Sequence, residues 1–243
     1  MMAGGTLYGI GMGPGDPELM TLKAARLVAA APVVAFFAKR GRHGHARQIA
    51  DGQIGSAAEE LRFEYPFTIE RLADDPVYQR EMAGFYDDSA RAVAARLDAG
   101  KDVAVLCEGD PFFYGSFMYL YDRLANGYSS QIVPGITGMS ACWTSARTPM
   151  THGDDVLAVL PGTLDESRMA ERLAGSDAAV IMKVGRNLPK IRAALTRAGL
   201  ADRAIYVERG TMNGERVAPL AEVADESAPY FSIVLVPGRQ RAR

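Results

Sequence analysis

Short apolar runs alternate along the chain with longer amphipathic ones. Thr6–Gly11 reads as a first strand. Asp16-Pro17-Glu18 reads as a helix start, with Asp at the N-cap, Pro in the first turn and Glu beside the positive dipole end. That helix is expected to run to about Ala30, where Pro32 interrupts it and Val33–Phe37 forms a second strand. Arg62–Phe67 alternates polar and apolar residues, as a half-buried strand does. Pro76–Asp98 predicts a long amphipathic helix closed by Gly100. Asp102–Cys107 is an almost continuous apolar run of the kind buried in parallel sheets. Ser116–Asn126 is expected to be helical and to stop at Gly127, and Gln131–Val133 to be a short strand ended by Pro134-Gly135.

The second half repeats the alternation. Strands are expected at Val156–Leu160, Ala178–Val184, Ala204–Glu208 and Tyr230–Val236, with an extended piece near Arg216–Leu220. Helices are expected at Asp165–Ala174 and Leu188–Ala198, the latter stopped by Gly199. Strands alternating with helices predict an α/β architecture with largely parallel sheets. The last strands have no helix between them, which predicts an antiparallel edge in the second half. The junction is placed at Pro134-Gly135, giving domains 1–134 and 135–243.

Composition narrows the class. The 243 residues, 48% hydrophobic and 23% charged, suit a globular chain with a real core. Lys+Arg 27 against Asp+Glu 29 leaves a net charge of −2, which excludes a general nucleic-acid coat protein. Two cysteines, Cys107 and Cys142, match no disulfide framework and point to a reducing cytoplasm. No apolar run reaches the ~18 residues of a membrane span, and the N-terminus lacks a signal peptide's basic and apolar regions. Glycine is the outlier: 25 residues with no Gly-X-Y period, so they must serve turns or close approach of backbone to a ligand.

Three glycine clusters each follow a predicted strand. Gly9-Ile-Gly11-Met-Gly13-Pro14-Gly15-Asp16 lies between the first strand and the first helix, where α/β proteins bind ligands. It fails the dinucleotide fingerprint, because the last glycine position falls on Pro14 or Asp16. The second strand also leads into Ala38-Lys39-Arg40 with no carboxylate, and no P-loop occurs. A tight turn without a ligand remains open for this cluster alone. Glu108-Gly109-Asp110-Pro111-Phe112-Phe113-Tyr114-Gly115 follows the buried strand, and Val133-Pro134-Gly135-Ile136-Thr137-Gly138-Met139-Ser140-Ala141 is the third cluster. The three could converge on one crevice.

Taken in order, these segments resemble the tetrapyrrole (corrin/porphyrin) methyltransferases, and the match continues through Val184-Gly185-Arg186-Asn187 and Val207-Glu208-Arg209-Gly210-Thr211. The resemblance covers essentially the whole chain. It implies two α/β domains with the active site in the cleft between them, S-adenosylmethionine as cofactor, S-adenosylhomocysteine as product and a homodimer. Phe36–Arg47 and Phe63–Thr68 resemble the branch that methylates precorrin-2 at its C20 meso carbon during cobalamin biosynthesis. The cofactor positions it implies are Pro14, Glu108, Gly109, Asp110, Phe113, Thr137, Gly138, Val184 and Gly210. Some relatives carry Gly at 108, Ala at 138 and Met at 184, which suggests backbone contacts there.

The substrate of such an enzyme carries many carboxylates. Lys39, Arg40, Arg42 and Arg47, with His43 and His45, form the densest basic stretch, and arginine forks suit carboxylates. Either a carboxylate clamp or a solvated loop accounts for it. Thirteen of the twenty aromatic residues lie between Phe63 and Tyr128. Phe117, Tyr121 and Leu124 have the spacing of a core helix face, whereas Phe112–Tyr114, with Tyr114 a substrate-binding candidate, sit in the second cluster. Tyr114, Asp110 and Glu108 are open candidates for removing the proton after methyl transfer. His43 and His45 lack a third neighbouring ligand, so no metal site is expected. Cys107 reads as a buried structural thiol rather than a nucleophile. The alternatives are methylation of the cobalt-containing analogue or of uroporphyrinogen III, a nicotinamide-dependent oxidoreductase, and a non-catalytic tetrapyrrole carrier.

Overall fold

The computed structural model describes residues 4–67 and 75–238. Thr68, the end of the Phe63–Thr68 segment, lies outside them, as do the first three residues. The chain forms two compact units, 1–137 and 138–243.

The first unit is a five-stranded, all-parallel sheet in the order β3-β2-β4-β1-β5. Its strands are β1 (Leu7–Gly11), β2 (Val33–Lys39), β3 (Glu59–Tyr65), β4 (Val103–Cys107) and β5 (Ser130–Val133). β4, in the middle, is buried at every residue, as its unbroken apolar run requires. One face packs on α1 (Leu22–Ala30) and α2 (His45–Ile49), the other on α3 (Pro76–Asp98) and α4 (Phe117–Leu124). α3 has the sequence-predicted bounds: Asp75 caps it by accepting from Val77 N–H at 2.8 Å, and Gly100 at φ 75 ends it.

The first helix differs from expectation. Asp16 caps only a single 3₁₀ turn, Pro17–Leu19, and α1 starts afresh at Leu22. The break comes from Thr21, a second N-cap, whose hydroxyl accepts from Ala24 N–H at 3.1 Å. α2 was not anticipated: the basic stretch 39–47 ends in a short helix. Gly44 enters it at φ 78, where a Cβ would lie 2.8 Å from the Phe37 carbonyl oxygen.

The second unit is a mixed sheet in the order β6-β7-β10-β8-β9. It comprises β6 (Leu157–Pro161), β7 (Ala178–Met182), β8 (Ile205–Glu208), β9 (Arg216–Pro219) and β10 (Ser232–Val236), with α5 (Gly138–Ser145), α6 (Glu166–Ala174) and α7 (Leu188–Arg197). β9 is the antiparallel edge that the sequence suggests. β10 is not at an edge: it lies antiparallel between β7 and β8. All five of its residues, SIVLV, are buried, which only a central position provides. α5 is a further difference: the third glycine cluster ends in a helix that lies against β8 and β10.

Candidate functional site

β4, β1 and β5 are adjacent and parallel, so the turns after them leave the sheet side by side. Met12 N–H donates to the Cys107 carbonyl at 2.8 Å, and Gly109 N–H donates to the Gly13 carbonyl at 2.8 Å. The first two clusters are thus joined by a small antiparallel bridge, Gly13 to Gly109. A Cβ on Gly135 would lie 2.0 Å from the Gly109 carbonyl oxygen, and one on Gly11 2.5 Å from Gly135 N. Only glycine permits three backbones this close. These glycines therefore pack the turns on each other, and Gly9, which is inside β1, makes room for the Phe117 ring.

Asp110 ties two of the turns. One carboxylate oxygen accepts from Phe112 N–H at 2.9 Å and the other from Gly135 N–H at 3.1 Å. Within this unit Pro14, Glu108, Asp110, Phe113 and Thr137 are partly buried, and Gly109 is buried. Tyr114 is exposed, sits at φ 55, and its ring meets that of Phe113 edge-on at 4.9 Å. Such a left-handed tyrosine is strained, and strain of this kind gathers at functional turns.

The Glu108 carboxyl is pushed up to about 7 by desolvation, opposed by a hydrogen bond from the Ala46 N–H. Burial, with Glu108 and Asp110 nearby, pushes the Cys107 thiol far up, so it is not a thiolate nucleophile.

The basic stretch divides. Arg47 forks onto Glu60 of β3, with Nε to Oε2 at 2.8 Å and Nη2 to Oε1 at 3.0 Å, and also reaches Asp51. Its fork is thus engaged within the protein. Arg40 and Arg42 are exposed and, among the described residues, make no ion pair. Lys39 ends β2 and is exposed. Desolvation, then the Lys39 charge, lowers the His45 pKa. Among the described residues no group of three or more His, Cys, Asp or Glu is placed to hold a metal ion.

Gly138, Val184 and Gly210 belong to the second unit. Gly138 opens α5, and a Cβ there would meet nothing within 4 Å. Gly210 packs on α5, where its Cβ would lie 3.0 Å from Cys142 Sγ. Val184 is fully buried, and its side chain belongs to the core of the second sheet. β7 and β8 both run antiparallel to β10, so Val184 and Gly210 follow strands that end on the same side of this sheet.

Sequence reasoning missed what shapes those turns. Lys183, Arg209 and Thr211 all have left-handed backbones, at φ 56, 50 and 64. The Thr211 N–H donates to Glu215 at 2.8 Å and to Ser145 Oγ at 3.1 Å, and Ser145 Oγ–H donates to the same Glu215 oxygen at 2.5 Å. Among the described residues, Thr211 Oγ1 is buried without a hydrogen-bond partner. No glycine marks these positions, so the sequence carried no signal for them.

The family profile described as tetrapyrrole (corrin/porphyrin) methylases matches residues 6–224. The chain belongs to that family. A precorrin-2 C(20)-methyltransferase from Sinorhizobium sp is 55% identical over 234 residues, covering 96% of each chain. A cobalt-precorrin-2 C(20)-methyltransferase from Salmonella typhimurium is 31% identical, again over 96% of each. A uroporphyrin-III C-methyl transferase from Thermus thermophilus, solved in complex with S-adenyl homocysteine, is 26% identical with a TM-score of 0.65. The match covers 96% of this chain and 92% of that one. That structure shares the fold of this chain.

Proposed function

We propose that this protein transfers a methyl group from S-adenosylmethionine to the C20 meso carbon of precorrin-2, giving precorrin-3A on the way to cobalamin. The observation that carries this reading is the 55% identity to a precorrin-2 C(20)-methyltransferase across nearly the whole of both chains. The lower identity, 31%, to the enzyme named for the cobalt-containing substrate favours the metal-free one. A nicotinamide cofactor is disfavoured by the end of β2, Ala38-Lys39, which offers no carboxylate for a ribose.

The residues present fit S-adenosylmethionine. Its single positive charge and its polar ribose and amino-acid groups suit a site built from backbone. The abutting turns supply backbone at the ends of β4, β1 and β5, and the Cα face of Gly138 is open. Pro14, Glu108–Asp110, Phe113 and Thr137 of the first unit, with Gly138, Val184 and Gly210 of the second, are the positions we assign to it. When bound, S-adenosylmethionine supplies an electrophilic methyl group on a sulfonium that needs no further activation. The protein's part is alignment and exclusion of water. Asp110 fixes the second and third turns to each other. Arg40 and Arg42, with Lys39 beside them, meet the carboxylates of the substrate. The methylated macrocycle must then lose a proton. Asp110 has both oxygens engaged, so Glu108, with its affinity for a proton near neutrality, is the better acceptor of the two carboxylates.

Two buried, unpaired thiols suit a reducing cytoplasm, where we infer the protein works as a homodimer; sedimentation equilibrium at micromolar concentration checks the latter. The test of the function is incubation with S-adenosylmethionine and precorrin-2, or its cobalt-containing analogue, followed by mass and NMR analysis. One added methyl at C20 of the metal-free substrate is expected. Addition at a ring carbon, or turnover of the cobalt form alone, overturns the reading. Asp110→Ala is expected to weaken S-adenosylhomocysteine binding about tenfold or more in calorimetry, because it frees two turns at once.

A further inference from the structure

Ser116 stands at the N-cap of α4, a position where a serine hydroxyl ordinarily accepts from the helix's own first N–H groups. Here it does not. It makes no cap hydrogen bond, and its Oγ lies 2.6 Å from the Tyr65 hydroxyl and 3.1 Å from the Tyr86 hydroxyl. One serine oxygen therefore joins the end of β3 to the middle of α3. Tyr86 is 6% exposed, its ring stacked on Tyr119 at 4.5 Å, while Tyr65 is stacked on Phe37 of β2 at 5.6 Å. Both phenols are thus fixed by rings from other elements before they reach Ser116. The next residue, Phe117, is fixed as well, with its ring over Gly9 of β1.

The start of α4 is held from two sides, and the turn Glu108–Gly115 ends against it. Downstream of Asp110 the Phe112 ring meets Tyr121 edge-on at 5.0 Å and Phe117 at 6.0 Å, so this part of the turn leans on α4, and Tyr114 there has a left-handed backbone. We propose that Tyr65, Ser116 and Tyr86 form a positioning triad that sets the Glu108–Gly115 turn in the geometry that binds the cofactor. Tyr65 and Tyr86 act on the turn through Ser116, and none of the three needs to touch the cofactor. The triad explains why the serine leaves its helix uncapped: the hydroxyl does more as a tie between elements.

The inference rests on the reading that this turn binds S-adenosylmethionine. The test is calorimetric titration of S-adenosylhomocysteine into the wild type, Ser116→Ala, Ser116→Thr, Tyr65→Phe, Tyr86→Phe and the double variant Tyr65→Phe/Ser116→Ala. Ser116→Ala is expected to weaken binding about tenfold and each Tyr→Phe about three- to fivefold, while Ser116→Thr, which keeps the hydroxyl, stays within about twofold. Because Tyr65 acts through Ser116, the double variant is expected to bind no worse than Ser116→Ala, within about twofold. In turnover, the KM for S-adenosylmethionine should rise while that for the tetrapyrrole does not, a split that general loosening of the fold would not produce. Ser116→Ala binding within about twofold of wild type, or a double variant whose loss is the product of the single losses, overturns the proposal. If Ser116→Ala fails to fold, the two Tyr→Phe variants, each lacking one oxygen, decide alone: a loss below about twofold in both overturns it. A wild type that does not bind S-adenosylhomocysteine refutes the functional reading instead.

Discussion

The two sheets build their strand-end turns by opposite means. After β1, β4 and β5 the turns are made of glycine, and the absence of side chains lets three backbones touch. After β7 and β8 left-handed backbone falls on lysine, arginine and threonine as well as on Gly185, and at Thr211 side chains from α5 and the following loop hold it there. The first design relies on empty space and the second on hydrogen bonds that outweigh local strain. The first should be intolerant of any added atom, whereas the second carries strain that a smaller residue would relieve.

The largest expected effect is on the glycine side. Gly135→Ala places a methyl 2.0 Å from the Gly109 carbonyl oxygen, where the contact is backbone and cannot swing away. It should cost at least about 3 kcal/mol, lowering Tm by roughly 6–12 °C in a thermal melt. A loss below about 1 kcal/mol would mean that the turns can part, and that their contact is not what the glycines are for.

Glu108 tests whether those turns also carry an electrostatic load. Desolvation raises its carboxyl from an ordinary 4.5 to about 7. Between those values the unfolded chain gives up a proton that the folded chain keeps. Stability therefore falls as pH rises through this window and levels off above it, by roughly 3 kcal/mol in all from this one group. Glu108→Gln should remove that part of the fall. Urea unfolding at pH 5 and pH 8 measures it, and an equal fall in the variant would place the load elsewhere.

Arg40→Ala and Arg42→Ala leave both sets of turns intact. Each should raise KM for the tetrapyrrole about threefold to tenfold with S-adenosylhomocysteine affinity unchanged, as loss of a carboxylate partner implies. Unchanged kinetics in both would return the basic stretch to the status of a solvated loop.

The smallest effect has the opposite sign. Thr211→Gly removes a left-handed β-branched residue and a buried hydroxyl without a hydrogen-bond partner among the described residues, and should stabilise by about 1 kcal/mol, raising Tm by roughly 2–4 °C. Destabilisation would mean that the threonine is a contact rather than a strain.

The same contrast explains what the sequence disclosed. Glycine is visible in a sequence, so the three turns of the first sheet could be located, and α3 could be bounded by Asp75-Pro76 and Gly100. Lys183, Arg209 and Thr211 look ordinary, and the backbone of Thr211 is held by Glu215 and by Ser145, 66 positions away. Arg47 looked available because nothing in its neighbourhood names Glu60, its partner across the α2–β3 connection. Ser116 was read as the start of a helix, which it is, but its two phenol partners come from β3 and α3. Each of these misses is a tertiary contact that replaced a local rule.

The central place of β10 bears on how the second sheet comes into being. β7 and β8 are not neighbours in the sheet, and residues 232–236 lie between them. As the polypeptide emerges from the ribosome, β4 fills the gap between β1 and β2 at residues 103–107, and the first sheet has all its strands by Val133. The second must keep two apolar strands waiting, without their common neighbour, until nearly a hundred further residues have followed β5. Any shortage of chaperone, or a premature stop between Glu208 and Ser232, should therefore leave a finished first half attached to an aggregation-prone second half.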